Sequence, residues 1–112
     1  MSNSIAYFEI TGPDSASLAA FYARVFGWRT TSGPFPNYQS VAANSGPGVP
    51  GGFRQEPFAE RVFYIQVTDL KKTLDAAVAA GAKVLVPPTS VPGVVSFALF
   101  EDPAGNRTGI IL

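Results

Sequence analysis

"AYFEITGPDSASLAAFYARVFGW", residues 6–28, carries the pattern that decides the fold, and it returns as "VFYIQVTDLKKTLDAAVAAGAKV", residues 62–84. In the first stretch a strand-like run from Ile5 to Thr11 meets a Gly12-Pro13 turn, and Asp14 stands where a helix N-cap belongs. Leu18, Phe21, Tyr22 and Val25 then recur at helical spacing, and Gly27 supplies the stop. In the second, Val62 to Val67 reads as the strand and Asp69 as the cap. Leu70, Leu74, Ala77 and Val78 form the stripe, and Gly81 is the stop. The two stretches lie about half the chain length apart. Each is followed by short β-rich segments punctuated by Gly and Pro. These are Trp28 to Thr31, Asn37 to Ala43 and Gly51 to Arg54, then Lys83 to Val86, Val94 to Phe100 and Arg107 to Leu112.

The pattern predicts two βαβββ modules of α+β class within a single domain of residues 1–112, with module one about 1–57 and module two about 58–112. The closing "FEDPAGNRTGIIL", residues 100–112, then has a reason: a tight turn built on Pro103, Gly105 and Asn106 delivers the last strand of the second module. The stretch "NSGPGVPGG", residues 44–52, reads as a mobile hairpin loop between two strands. "VPPTSVPG", residues 86–93, could serve a partner protein, though such segments are more often plain connectors.

Composition removes several function classes. There is no histidine and no cysteine among the 112 residues. Triads and metal sites built on imidazole or thiolate are therefore excluded, and nothing points to an oxidising compartment. The formal net charge is zero and the eight basic residues are scattered, so no positive face for nucleic acid is expected. No apolar run approaches the ~20 residues that span a bilayer. No signal peptide is visible in "MSNSIAYFEI", and the expected location is cytoplasmic.

Period-two alternation sorts the strand faces. Phe8 and Ile10 should pack on the first helix, leaving Tyr7, Glu9 and Thr11 opposite. Phe63, Ile65 and Val67 should pack on the second, leaving Val62, Tyr64 and Gln66 opposite. Curved sheets would gather the second set of groups into a cavity of mixed polarity, the usual character of a small-molecule site. The candidate ligand-binding residues are thus Tyr7, Glu9, Thr11, Tyr64, Gln66 and Arg107. Glu9 is the sharpest of them, because it lies mid-strand between apolar residues while Asp14 and Asp69 are explained as caps and Asp102 as turn chemistry. A buried carboxylate needs a partner. Two readings stand: a ligand contact, with Glu9 the candidate catalytic base, or a structural acid paired with an arginine such as Arg107. Trp28, Phe35 and Tyr38 are core or pocket wall.

In "FEITGPDSASLAAFYARVFGW", "VTDLKKTLDAAVAAGAKVLVPP" and "FEDPAGNRTGI" the chain resembles the vicinal oxygen chelate superfamily of glyoxalase I, bleomycin-resistance proteins and extradiol dioxygenases. The resemblance covers essentially the whole chain, and it implies a curved mixed sheet with helices on its outer face. It implies a homodimer as well. Metal-using members take one ligand from the first and one from the last strand of each module. By position those sites fall on Tyr7, Val62, Gly51 or Gly52, and Gly109, which offer a phenol, an alkyl group and glycines. The resemblance therefore leads to the expectation of no metal and no cofactor, and of a small organic ligand bound in the inter-module cavity. The alternative is a glyoxalase-like lyase or isomerase with Glu9 as general base and Tyr7 or Tyr64 as hydrogen-bond donor. A third reading is an interaction module whose cavity is vestigial.

Overall fold

The computed structural model describes residues 2–43 and 48–112. The expected 44–52 loop therefore lies outside the described residues over 44–47. Among the described residues, eight strands and two helices run in the order β1 (Ile5–Gly12), α1 (Ser15–Phe26), β2 (Thr30–Ser32), β3 (Tyr38–Val41), β4 (Gly51–Gln55), β5 (Glu60–Gln66), α2 (Leu70–Ala79), β6 (Lys83–Val91), β7 (Val95–Glu101) and β8 (Arg107–Ile111). The class is α+β with two βαβββ modules. No described helix is long and apolar enough to cross a membrane.

The chain divides into two compact units, Tyr7–Val62 and the N-terminal residues to Ala6 with Phe63–Leu112. Within the first, the strands lie in the order β2-β3-β4-β1. β1 and β4 run parallel, with Glu9 opposite Gly52 and Ile10 opposite Phe53, and the other pairs are antiparallel. Helix α1 begins because the Asp14 carboxylate accepts the Ser17 N–H at 3.0 Å and the Ser17 hydroxyl at 2.9 Å. Those bonds, the backbone one first, hold the Asp14 carboxyl below its ordinary value. The helix ends at Gly27, whose φ of 72° is the left-handed conformation glycine adopts cheaply.

Ile10, Ala19, Val41 and Phe53 form this unit's core, with Phe8, Leu18, Tyr22 and Trp28 packed against it. The helix turns Ser15, Leu18, Ala19 and Tyr22 inward, so the stripe sits about one residue away from its expected place. Phe21 and Val25, assigned to that stripe by spacing, are more than half exposed. Aromatic contacts explain the shift: the Tyr22 ring lies 5.3 Å from Trp28 and 5.4 Å from Phe53, which anchors the helix at position 22.

The second unit repeats the plan in the order β5-β8-β7-β6, with β5 and β8 parallel and Tyr64 opposite Gly109. Asp69 caps α2 by accepting the Lys72 N–H at 2.9 Å, and Gly81 follows the helix at φ 108°. Val67, Leu70, Leu74, Ala98 and Ile110 make its core, with Ile65 and Phe100 against it. Phe63, expected on that face, is 44% exposed. The segment read as a connector is strand: β6 continues to Val91 through Pro87 and Pro88. It pairs on one side with β7 and shifts register between Val84 and Thr89. An edge strand tolerates prolines because it has no second neighbour to receive their missing N–H groups.

Candidate functional site

Pleating sends Tyr7 and Glu9 of β1 to the face away from the α1-packed core, and β3 and β4 bring two partners to the same place. Tyr38, the first residue of β3, is buried and donates its hydroxyl to Glu9 Oε2 at 2.9 Å. Tyr7 Oη lies 2.6 Å from Tyr38 Oη. Arg54 of β4 sets Nη1 3.2 Å from Glu9 Oε1, while its Nε lies 3.1 Å from Glu56 Oε2. The Nε contact pairs charges without hydrogen-bond alignment, since that atom is buried and makes no hydrogen bond.

The proton count orders this cluster. A phenol carries one hydrogen, and Tyr38 commits its own to the carboxylate. The short contact between the two hydroxyls therefore has Tyr7 donating and Tyr38 accepting. Donors point in sequence from Tyr7 to Tyr38 to Glu9, and the Arg54 guanidinium balances the charge at the far oxygen. Burial, first, and the nearby negative charge of Glu9 push the Tyr38 hydroxyl well above its ordinary value. Tyr7 also titrates above its usual range, with burial the main cause and the Tyr38 hydrogen bond opposing it. Both phenols thus stay neutral donors in ordinary buffers.

Of the other candidates, Thr11 shares this unit, and Tyr64, Gln66 and Arg107 belong to the other one. Thr11 is buried and donates to the Phe58 carbonyl at 2.9 Å, tying β1 to the 56–59 segment. Tyr64 is buried with its ring over Gly109. Gln66 is exposed, and its carbonyl accepts from Asn3 Nδ2 at 3.0 Å. Arg107 is exposed at the start of β8, opposite Glu101. Within the unit Tyr7–Val62 the structure brings Tyr7 and Glu9 together and adds Tyr38, which the sequence left as core or pocket wall, and Arg54, which it did not single out. Alternation in "GGFRQ", residues 51–55, carried a signal for Arg54: with Phe53 on the core face, Gly52 and Arg54 fall on the other.

A divalent cation does not fit these residues. It asks for three or four converging imidazole, carboxylate or thiolate donors. Among the described residues no three His, Cys, Asp or Glu side chains are so grouped. The last-strand positions lack room as well as donors: a Cβ on Gly52 would overlap the Tyr38 hydroxyl and ring, and one on Gly109 the Tyr64 ring.

A family model described as a glyoxalase-like domain matches residues 8–111. A glyoxylase-like domain-containing protein of Didymella fabae is 33% identical over 116 aligned positions, covering 95% of this chain and 91% of that protein. The anthracycline biosynthesis protein DnrV of Streptomyces peucetius is 29% identical over 119 positions, covering 89% of this chain but 43% of that protein. The Mn(II)-bound glyoxalase of Novosphingobium aromaticivorans superposes with a TM-score of 0.70 at 23% identity, over 98% of this chain and 40% of that one. At such identity the likeness concerns the fold alone.

Proposed function

The chain belongs to the glyoxalase-like domain family, and from that premise we propose that it binds a small organic molecule at the Tyr7–Tyr38–Glu9–Arg54 cluster without a resident metal. One observation carries the reading. The acid at the centre of the cluster has each of its oxygens held by the protein, one by Tyr38 and one by Arg54. A carboxylate so engaged is poorly placed to join a metal's ligand shell or to take a substrate proton. It is well placed to fix and polarise two phenols, and buried hydroxyls aimed by an ion pair give a binding site its orientation. The alternative, Glu9 as the general base of a lyase or isomerase, requires one of those bonds to break first.

Ligand class is approached through relatives and chemistry together. The anthracycline-biosynthesis relatives place an anthracycline in the first screen, beside aldehydes, thiol conjugates and hydrophobic antibiotics. A thermal-shift screen reads out binding, because a ligand that prefers the native state raises Tm. The expected outcome is a hit whose Tm rise survives EDTA and is lost in Glu9→Gln. A rise that needs an added divalent cation, or one indifferent to Glu9→Gln, rejects the reading. A homodimer belongs to the same proposal, as C2 pairs are the commonest oligomers. Sedimentation velocity showing only monomer at working concentration removes that part.

A further inference from the structure

Gly51 opens β4 and Gly52 and Gly109 lie inside β4 and β8, where glycine costs stability and commonly marks a close approach by another group. None of the three has a positive φ, so backbone conformation does not require them. What they share is an aromatic ring where a side chain would begin: Phe8 over Gly51 on the helix-packed face, Tyr38 over Gly52 and Tyr64 over Gly109 on the other. The two tyrosines reach their glycines from different directions. Tyr64 stands directly opposite Gly109 in the β5–β8 register. Tyr38 comes from β3, where its own partner is Arg54 and Ser40 is the residue beside Gly52. The first-strand residue opposite Gly52 is Glu9.

We propose that Gly52 and Gly109 are specificity-determining positions: each gives up its side chain to seat a tyrosine ring, which commits that strand position to a phenol and shuts out the carboxylate that a divalent cation would need there. The inference rests on the cation-independent reading above and names the residues that enforce it. Each ring and the glycine it covers lie within one unit. A carboxylate at position 52 would stand beside Glu9 on the neighbouring parallel strand, in the space that the Tyr38 ring holds.

Two double-mutant cycles and one metal titration test this. Gly109→Ala should lower Tm by roughly 5–15 °C, the scale of an overpacked interior. In the Tyr64→Ala background the same change should cost far less, because the ring it meets is gone. Gly52→Ala and Tyr38→Ala should behave alike. For the metal arm, Mn(II) is titrated and free Mn(II) followed by electron paramagnetic resonance. Wild type and Gly52→Glu should leave Mn(II) free, whereas Gly52→Glu with Tyr38→Ala, which sets a second carboxylate beside Glu9, should hold it weakly with water completing the shell and gain Tm at millimolar Mn(II). Additive cycles at both glycines overturn the proposal. So does Mn(II) binding by Gly52→Glu with Tyr38 in place, or a folded double variant that leaves Mn(II) as free as wild type. If the position 52 double variant does not fold, the Gly109–Tyr64 cycle still decides the seating. No organic ligand enters these measurements, so they can fail while the ligand screen succeeds, and the reverse.

Discussion

In the unit of Tyr7–Val62 the ring over Gly52 of the last strand arrives from β3, whereas in the unit holding Phe63–Leu112 the ring over Gly109 arrives from β5, the first strand of its module. The residue opposite that glycine is consequently Glu9 in one unit and Tyr64 in the other. Filling the same gap from the opposite neighbour releases the first strand of the earlier module to carry an acid. Once there, the acid must be satisfied, because an uncompensated buried charge is far costlier than a paired one. Tyr38 from β3 and Arg54 from β4, the next two strands in the order β2-β3-β4-β1, satisfy it. The duplication is therefore one of backbone plan, and the polar chemistry is concentrated in one copy.

The sharpest way to break this comparison is to remove each ring. Tyr64→Ala and Tyr38→Ala should each cost about 3–5 kcal/mol in urea unfolding, the usual loss for a large buried aromatic. Tyr38→Ala should be the worse, since it also strips a donor from Glu9. Equal costs would mean that the cluster adds nothing to ring burial. Glu9→Ala comes next, at about 1–3 kcal/mol, as it leaves the Tyr38 hydroxyl without its acceptor and the Arg54 guanidinium with Glu56 alone. Arg54 is partly exposed, which keeps the figure below that of a fully buried pair. Tyr7→Phe is the smallest change, about 0.5–1.5 kcal/mol for one hydrogen bond. A larger loss would show that Tyr7 supports more than the chain's donor end.

Alkaline unfolding sharpens the same contrast. Both Tyr7 and Tyr38 have folded values raised above the ordinary 10.0. The native state thus keeps protons that the unfolded chain has already released, and stability is at its full value below about pH 10. It then falls as pH climbs from there towards the folded values. Urea midpoints taken from pH 8 upward should show that decline, shallower in Tyr38→Phe and in Glu9→Gln, whose charge helps raise both phenols. A decline of unchanged slope in both variants would place its origin outside this cluster.

Much of the fold was legible because its signals are local. Asp14 and Gly27 bracket α1, Asp69 and Gly81 bracket α2, and the expected β-rich segments all contain strands. The failures trace to tertiary context. Phe21 and Val25 have helical spacing, yet stacking of Tyr22 on Trp28 and Phe53 turns them outward. Pro87 and Pro88 suggested a connector, and only an edge position lets them sit in β6. Glu9 and Tyr7 could be picked out by alternation on one strand. Alternation could put Arg54 on the same kind of face, but its pairing with Glu9, and that of Tyr38, required the parallel register of β1 on β4 and the antiparallel register of β3, which join residues far apart in sequence.

Isothermal titration of an anthracycline, or of whichever screened compound raises Tm most, into EDTA-treated wild type, Glu9→Gln and Tyr7→Phe bears most directly on the central claim. The expected result is saturable binding to the metal-stripped wild type, weakened about tenfold or more in Glu9→Gln, as the loss of a charge-assisted hydrogen-bond network entails, and weakened less in Tyr7→Phe. Binding that vanishes in EDTA and returns with Mn(II), or that is the same in all three proteins, would contradict it.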